Sequence, residues 1–392
     1  MLRHTIQAIL AIIVALTLGC RPGKESCRSD DLVCPNRALP GILWLSTCNF
    51  QPVCGNQTLD GLAPSAGTGS SIFADCQRIN IAHGDSSSGD LRFSRSNDGG
   101  LTWYNTIVDD GADTGYASRI YADKSEVFIS YHDAGNADLW FAYSGDQGQT
   151  WRKIQVNKVA EDPDSVTGMF VRNPEIWISA LVNNSLTIYY SADRGLSWQE
   201  YVAIPGPSRG YESSIFVSGN QIFTTDYHLA DRDLYFNHSS DGGSTWQSIV
   251  LESAGDVGRY SSLILSNGVL LVTYYDVTNT RLRVARSTDL GVNWSLATID
   301  SSASVGTESD LTSDGSALYV AYYDATNTSL KAARSVDDGL TWEVKTLDSG
   351  PNAGRYTGIS ATGPGVFVSH QASGSSLKLS IATPGTGCVF TP

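Results

Sequence analysis

Methionine is nearly missing from this sequence, with 2 in 392 residues, and charged side chains make up only 17% of it. That scarcity suits many short strands joined by tight turns better than helices. Basic residues are scarce as well: 26 Lys and Arg stand against 40 Asp and Glu, a net charge of −14. A nucleic acid or an anionic membrane surface would have to bind against that field, so neither is expected as a partner of the folded body. No G-x-S-x-G elbow, phosphate loop or His-rich metal spacing occurs. Asp109-Asp110-Gly111-Ala112-Asp113 has the acidity of a calcium loop without its closing Glu. The expectation is a protein with no cofactor and no metal. Long apolar runs are absent beyond residue 18.

What is plentiful is Gly (38) and Tyr (18). A closed all-β architecture takes a chain of this length as one domain. Ahead of that domain, Arg3 and His4 precede an apolar run from Ile6 to Leu18. As a helix the run spans about 20 Å, too short for a bilayer core, so residues 1–19 read as an export signal peptide. Leu16-Thr17-Leu18-Gly19-Cys20 resembles the lipobox of bacterial lipoproteins, with Thr17 where that family usually has Leu. The resemblance implies lipidation of Cys20 as the mature N-terminus, and a membrane contact through that anchor only.

Removing Cys20 leaves an even set: Cys27, Cys34, Cys48, Cys54, Cys76 and Cys388. Three disulfides are possible, and the sequence does not choose among their connectivities. Zinc is the weaker reading of these cysteines, because no paired C-x2-C spacing and no nearby His accompany them. Residues 20–66 are rich in Pro and Gly and carry no helical or strand period, as a tether would. Their exception is the apolar Leu43-Trp44-Leu45.

The remainder, 67–392, is governed by a repeat. S-x-D-x-G-x-[T/S/N]-W recurs with its aspartates at Asp98, Asp146, Asp193, Asp241, Asp289 and Asp337, at intervals of 48, 47, 48, 48 and 48 residues. A fixed period of this size marks a propeller or solenoid. The motif resembles the Asp-box, or bacterial neuraminidase repeat, of sialidase-like β-propellers. In that family the box is a turn between the third and fourth strands of a blade. Its residues explain themselves: the Asp accepts N–H bonds within the turn, the Gly permits positive φ, and the Trp fills space between sheets. Those are structural jobs, so the box implies fold and says little of chemistry.

Alternation places strands at 261–265, 269–276, 281–286 and 294–299 in one repeat. After the sixth box, Tyr356-Thr357-Gly358-Ile359, Val366 to Ser369 and Leu377 to Ser380 match strands one to three of another blade. The count is therefore an all-β, seven-bladed β-propeller of four-stranded antiparallel blades, the last lacking its outer strand. A six-bladed sialidase-like ring is the alternative. An open last blade leaves an edge to be closed by N-terminal chain, for which Leu43 to Ser46 is the candidate, pinned by a bond from Cys388 to Cys48 or Cys54.

In propellers of this family function collects on the face opposite the boxes, at the turns that enter strand one and leave strand two. Twenty-nine residues before each box Asp stand Ala117, Glu212, Tyr260 and Glu308, with Tyr356 equivalent in the last blade. One position earlier come Tyr116, Tyr211, Arg259, Thr307 and Arg355. Thirteen before the box come Asp85, Asp133, Ala180, His228, Asp276 and Asp324, preceded in the later blades by Tyr227, Tyr275 and Tyr323, with His370 in the last blade. Aspartates that recur read as turn caps. Positions that break the pattern, such as Glu212, Glu308 and His228, are better functional candidates.

Sialidases use a Tyr nucleophile activated by Glu, an Asp acid/base and three arginines that clamp a carboxylate. The resemblance thus implies Tyr260 or Tyr356 with Glu212 or Glu308, and Arg259 and Arg355 near them. This chain departs from the family at the Arg-Ile-Pro motif, having Arg78-Ile79-Asn80 and Arg119-Ile120-Tyr121, and Arg209 is two residues out of column. Arg119 is the substitute third arginine. The reading favoured is an exported, lipid-anchored protein of the outer membrane or cell surface that binds a carbohydrate or an envelope protein. Its contacts are expected from Arg259, Arg355, Arg119, Tyr211, His228, Tyr275, Asp276, Tyr323 and Asp324. The alternatives are a sialidase-type glycosidase and an envelope scaffold.

Overall fold

A computed structural model describes residues 55–59, 66–76, 78–111, 113–157, 167–302, 304–362 and 365–382. These form seven four-stranded antiparallel sheets, each a blade of one propeller. The inner strands are Ala66–Ala74, Thr114–Asp123, Gly168–Arg172, Tyr211–Ser218, Val257–Ser266, Val305–Ser313 and Arg355–Thr362. Blade five shows the plan, continuing through Val269–Asp276 and Arg281–Ser287 to the outer Ser295–Asp300.

The seventh blade comprises Arg355–Thr362, Gly365–Ala372 and Ser376–Ala382, and Gly55–Thr58 supplies its outer strand. Gly55 pairs with Ile381 and Thr58 with Lys378. N-terminal chain does close the ring, but the expected donor is corrected: residues 55–58 occupy that edge, and 43–46 lie outside the described residues. The reason is visible in the strand itself. Gly55–Thr58 is mostly exposed and polar, so it carries no apolar alternation to read.

The core lies between blades. Seven apolar clusters each join two neighbouring sheets; one packs Phe93 and Leu91 of blade one against Ile129 and Tyr131 of blade two. Rings such as Phe93, Phe128, Phe141 and Phe223 are fully buried, each contributing roughly 1.5–3 kcal/mol. Polar rivets cross the same junctions. Tyr131 donates to Asp109 at 2.6 Å and Tyr322 to Asp300 at 2.7 Å, from strand two of one blade to the outer strand of the blade before. Tyr274 makes the same bond to Glu252, and Lys331 and Lys378 neutralise Asp300 and Asp348.

The six repeat turns are superposable in their bonding. In the fourth, Ser239 Oγ donates to Asp241 at 2.8 Å, Gly243 N–H donates to Ser239 Oγ at 2.8 Å, and Thr245 N–H and Oγ1 donate to the two carboxylate oxygens at 2.9 and 2.6 Å. Ser197 and Asn293 donate likewise where the other turns have Thr. These hydrogen bonds, led by the Thr or Ser hydroxyl, hold Asp146, Asp193 and Asp241 at about 2.

Candidate functional site

On the face opposite the repeat turns, every inner strand that runs through the mouth with its start described carries a bulge. The register slips between Arg259 and Ser262, between Thr307 and Asp310, and between Arg355 and Gly358. The extra residue takes left-handed backbone: Gly69 in blade one, then Ala117, Glu212, Tyr260, Glu308 and Tyr356 at φ between +46 and +56. For residues with a Cβ this costs about 1–2 kcal/mol each. The cost is offset by a hydrogen-bonded ring around the mouth. Ser118 donates to Gly69 O at 2.7 Å, Ser309 to Tyr260 O at 2.9 Å, and Ser70 to Tyr356 O at 2.7 Å across the closure.

Two of the bulge residues are acids that hold their neighbours. Glu212 accepts the N–H of Tyr260 at 2.5 Å and faces Arg259 at 3.4 Å. Glu308 repeats this one step round the ring, accepting the N–H of Tyr356 and facing Arg355 at 3.9 Å. Burial pushes both carboxyls above the usual carboxylate range, against the amides and arginines that pull them down. Tyr260 lies in the field of all four charges, and burial followed by Glu212 and Glu308 pushes its phenol up. The acids are sequestered while the cations look outward: Arg355 is 50% exposed against 16% for Glu308. The mouth therefore presents Arg donors and Tyr rings, with buried carboxylates balancing the charge beneath them.

Arg119 stands apart from this cluster. It belongs to the column two residues after the bulge, where Ser71, Ser214, Ser262 and Asp310 also stand, lining the centre of the ring. Burial works against its charge and Asp310 favours it. Asp310 also accepts Ser262 Oγ and Ile359 N–H, both at 3.1 Å. Arg209 is committed elsewhere, to a buried fork on Asp226 at 2.7 and 2.8 Å with Tyr235 under its guanidinium. Arg259, Arg355 and Arg119 thus face three different carboxylates within the chain.

The strand-two column divides. Asp276 accepts from Asn279 and Arg281, and Asp324 from Thr326 and Asn327, so both cap the turn that follows. His228 has both ring nitrogens engaged, one at 3.0 Å from Pro207 O and the other at 3.1 Å from Asp231 N, a local brace for its own turn. Tyr275 is buried opposite Arg259, Tyr323 lies opposite Thr307, and Tyr211 opposite Tyr227. His370 is out of the column in which the sequence placed it. It pairs with Lys378, which makes it the equivalent of Tyr322, and it lies buried 3.8 Å from Asp348.

Three contributors stand outside the contacts expected from the sequence: Tyr227, which is in the strand-two column, Asp256 and Asp310. Tyr227 packs under Arg259, its ring 5.0 Å from the guanidinium, and donates its hydroxyl to Asp256 at 3.0 Å. Asp310 was legible, since it shares Arg119's column. Asp256 carried no column signal. Among the described residues no group of three or more His, Cys, Asp or Glu is arranged to hold a metal ion.

No family model matches the chain, and no curated protein matches it. Solved structures do. The structure of YCF48 bound to D1 peptide aligns with a TM-score of 0.57 at 16% identity over 85% of this chain and 99% of that one. The SapL1 lectin in complex with alpha methyl fucoside aligns at 0.48 and 14% over 73% and 96%. The Hadza microbial sialidase Hz136 aligns at 0.47 and 16% over 83% and 66%. At these identities the likeness is one of fold: the chain is a seven-bladed β-propeller with the architecture seen in YCF48.

Proposed function

We propose that this chain is an exported propeller, held at the cell surface by a lipidated Cys20, that binds a carbohydrate or protein partner through the mouth opposite the repeat turns. The observation that carries the binding reading is the Glu212–Arg259–Tyr260 and Glu308–Arg355–Tyr356 pair of triplets. At the bulge position where blades one and two carry only Gly69 and Ala117, it places buried acids beneath part-exposed arginines, so the fold does not require those side chains. Exposed Arg forks and Tyr rings suit an acceptor-rich ligand: sugar hydroxyls, or the carboxylates and carbonyls of a protein segment. YCF48 has a peptide bound, which agrees with the protein-segment class proposed. Export is supported by Cys76, which is disulfide-bonded, as an oxidising compartment allows. Residues 1–19 are then the signal peptide and the chain from Cys20 the tether. Binding is tested by probing glycan and peptide arrays with the full chain and with Arg259→Ala/Arg355→Ala. Hits that survive the double change at full strength would refute it.

The second reading, a sialidase-type glycosidase, rests on Tyr260 lying between two carboxylates. Against it, both Glu212 and Glu308 spend an oxygen on a backbone amide, and the three arginines do not converge. Hydrolysis of fluorogenic sialosides, lost in Tyr260→Phe, would establish it.

A further inference from the structure

One device closes three junctions between blades, and a junction that lacks it is left open. Five residues before the box Asp, Phe93, Phe141 and Phe236 reach across to the repeat turn of the next blade. A Cβ added at Gly148, Gly195 or Gly291 would stand 2.2, 2.2 and 2.4 Å from those rings. The same rings meet Trp151, Trp198 and Trp294 edge-on at 5.2, 5.2 and 4.9 Å. Between blades five and six the position is Val284, and Leu271 takes the place of the ring, 2.5 Å from a Cβ placed on Gly339; between blades three and four the position is Ile188. A Cβ on Gly243 would meet nothing nearer than 3.6 Å, and Trp246 has no phenylalanine to close on. The space left is a cavity of about 220 Å³ opening on the repeat-turn face, lined by Arg172, Glu175, Trp177, Tyr190, Tyr201 and Trp246 among others.

We propose that this cavity is a second binding site, distinct from the mouth, that takes one pyranose ring of a neutral sugar. Its volume falls below the roughly 300 Å³ at which sites for drug-sized ligands begin, which admits a single ring. Its walls are aromatic: Trp177 and Tyr190 lie 5.2 Å apart and Trp246 faces them across the junction. Such walls receive the C–H face of a sugar. Its polar edge is an ion pair whose charges cancel, Arg172 to Glu175 at 2.7 Å, with both side chains about one-third exposed. Tyr190 donates to the other Glu175 oxygen at 2.9 Å, and Arg172 reaches Gly219 O at 3.3 Å. Burial and Glu175 push Tyr190 up to about 12, so it stays a neutral donor. Donor and acceptor without net charge match hydroxyls better than a sugar acid or an amine.

The test uses the full chain and a panel of methyl α- and β-pyranosides of glucose, galactose, mannose, fucose and N-acetylglucosamine. It is read by saturation-transfer NMR and by tryptophan fluorescence. At least one pyranoside is expected to bind and to perturb the fluorescence. Ile188→Phe, which introduces the ring found at three other junctions, is expected to abolish that binding. Glu175→Gln, a change that leaves the packing alone, is expected to weaken it about tenfold, the loss of one charged hydrogen bond. Arg259→Ala/Arg355→Ala is expected to leave it unchanged, which separates this site from the mouth. No binding by any neutral pyranoside, or binding undiminished by both Ile188→Phe and Glu175→Gln, would overturn the proposal.

Discussion

The two faces of this propeller are made from the same repeat and differ in what the repeat holds constant. On one face six turns bond identically, and Thr, Ser or Asn is accepted because each supplies a donor to the Asp. On the other, the equivalent bulge position is Gly, Ala, Glu, Tyr, Glu and Tyr in six blades, with the left-handed backbone unchanged. The turns keep chemistry and geometry together. The mouth keeps geometry and frees the chemistry. Where a scaffold retains a strained shape that the side chain does not favour, the shape serves the ring and the side chain is available for something else.

Acid breaks the comparison most severely. Burial lowers His83 to about 4 and also lowers His370, so the unfolded chain takes up protons that the native state refuses. Stability is therefore expected to fall as pH drops from 6.5 towards 4, with a slope approaching about 3 kcal/mol per pH unit for two protons. The repeat turns should be last to respond: their aspartates are held low, so their contribution is present above 3.8 and lost as pH falls through about 2. Urea unfolding at a series of pH values checks both windows.

Among substitutions, Arg209→Met is expected to cost about 3–5 kcal/mol, because it strands the buried Asp226. Arg259 is itself more than one-third exposed and sits 3.4 Å from Glu212, which also keeps the Tyr260 amide, so Arg259→Met should cost less, about 1 kcal/mol, while weakening ligand capture at the mouth. Denaturant midpoints beside array signals separate the structural arginine from the presenting one. Gly195→Ala should cost about 3 kcal/mol, combining strained backbone at φ +76 with a clash on Phe141. Gly243→Ala should cost only the backbone share of about 1–2 kcal/mol, since no ring opposes it. The smallest effect sharpens the contrast from the mouth side. Ala117→Gly should stabilise by about 0.5–1 kcal/mol, as Gly69 already does this job one blade earlier.

The sequence was most legible where residue type and geometry coincide. Ser, Asp, Gly and Trp at fixed spacing give the turns, and the period gives the blades. The columns drew together Glu212, Arg259, Tyr260, Glu308, Arg355 and Tyr356, and in the structure Glu212 meets Arg259 and Tyr260 as Glu308 meets Arg355 and Tyr356. Their left-handed backbone was not legible, because Glu and Tyr do not advertise positive φ as Gly does. The closing strand was misassigned for a related reason: Leu43-Trp44-Leu45 has the apolar signature, whereas Gly55–Thr58 is an exposed edge whose hydrogen bonds are backbone-made. His228 broke its column, as a binding residue would, yet its ring braces its own turn.

The central claim is that the variable mouth, and not the constant turns, captures the protein's acceptor-rich partner. Its most direct test is the affinity of the full chain for its strongest array hit, measured beside Arg259→Ala/Arg355→Ala and Gly243→Ala by titration calorimetry. The account predicts a loss of at least about tenfold for the double change in a chain that remains folded, and no loss for Gly243→Ala. Equal affinity in the double variant, or a loss confined to Gly243→Ala, would contradict it.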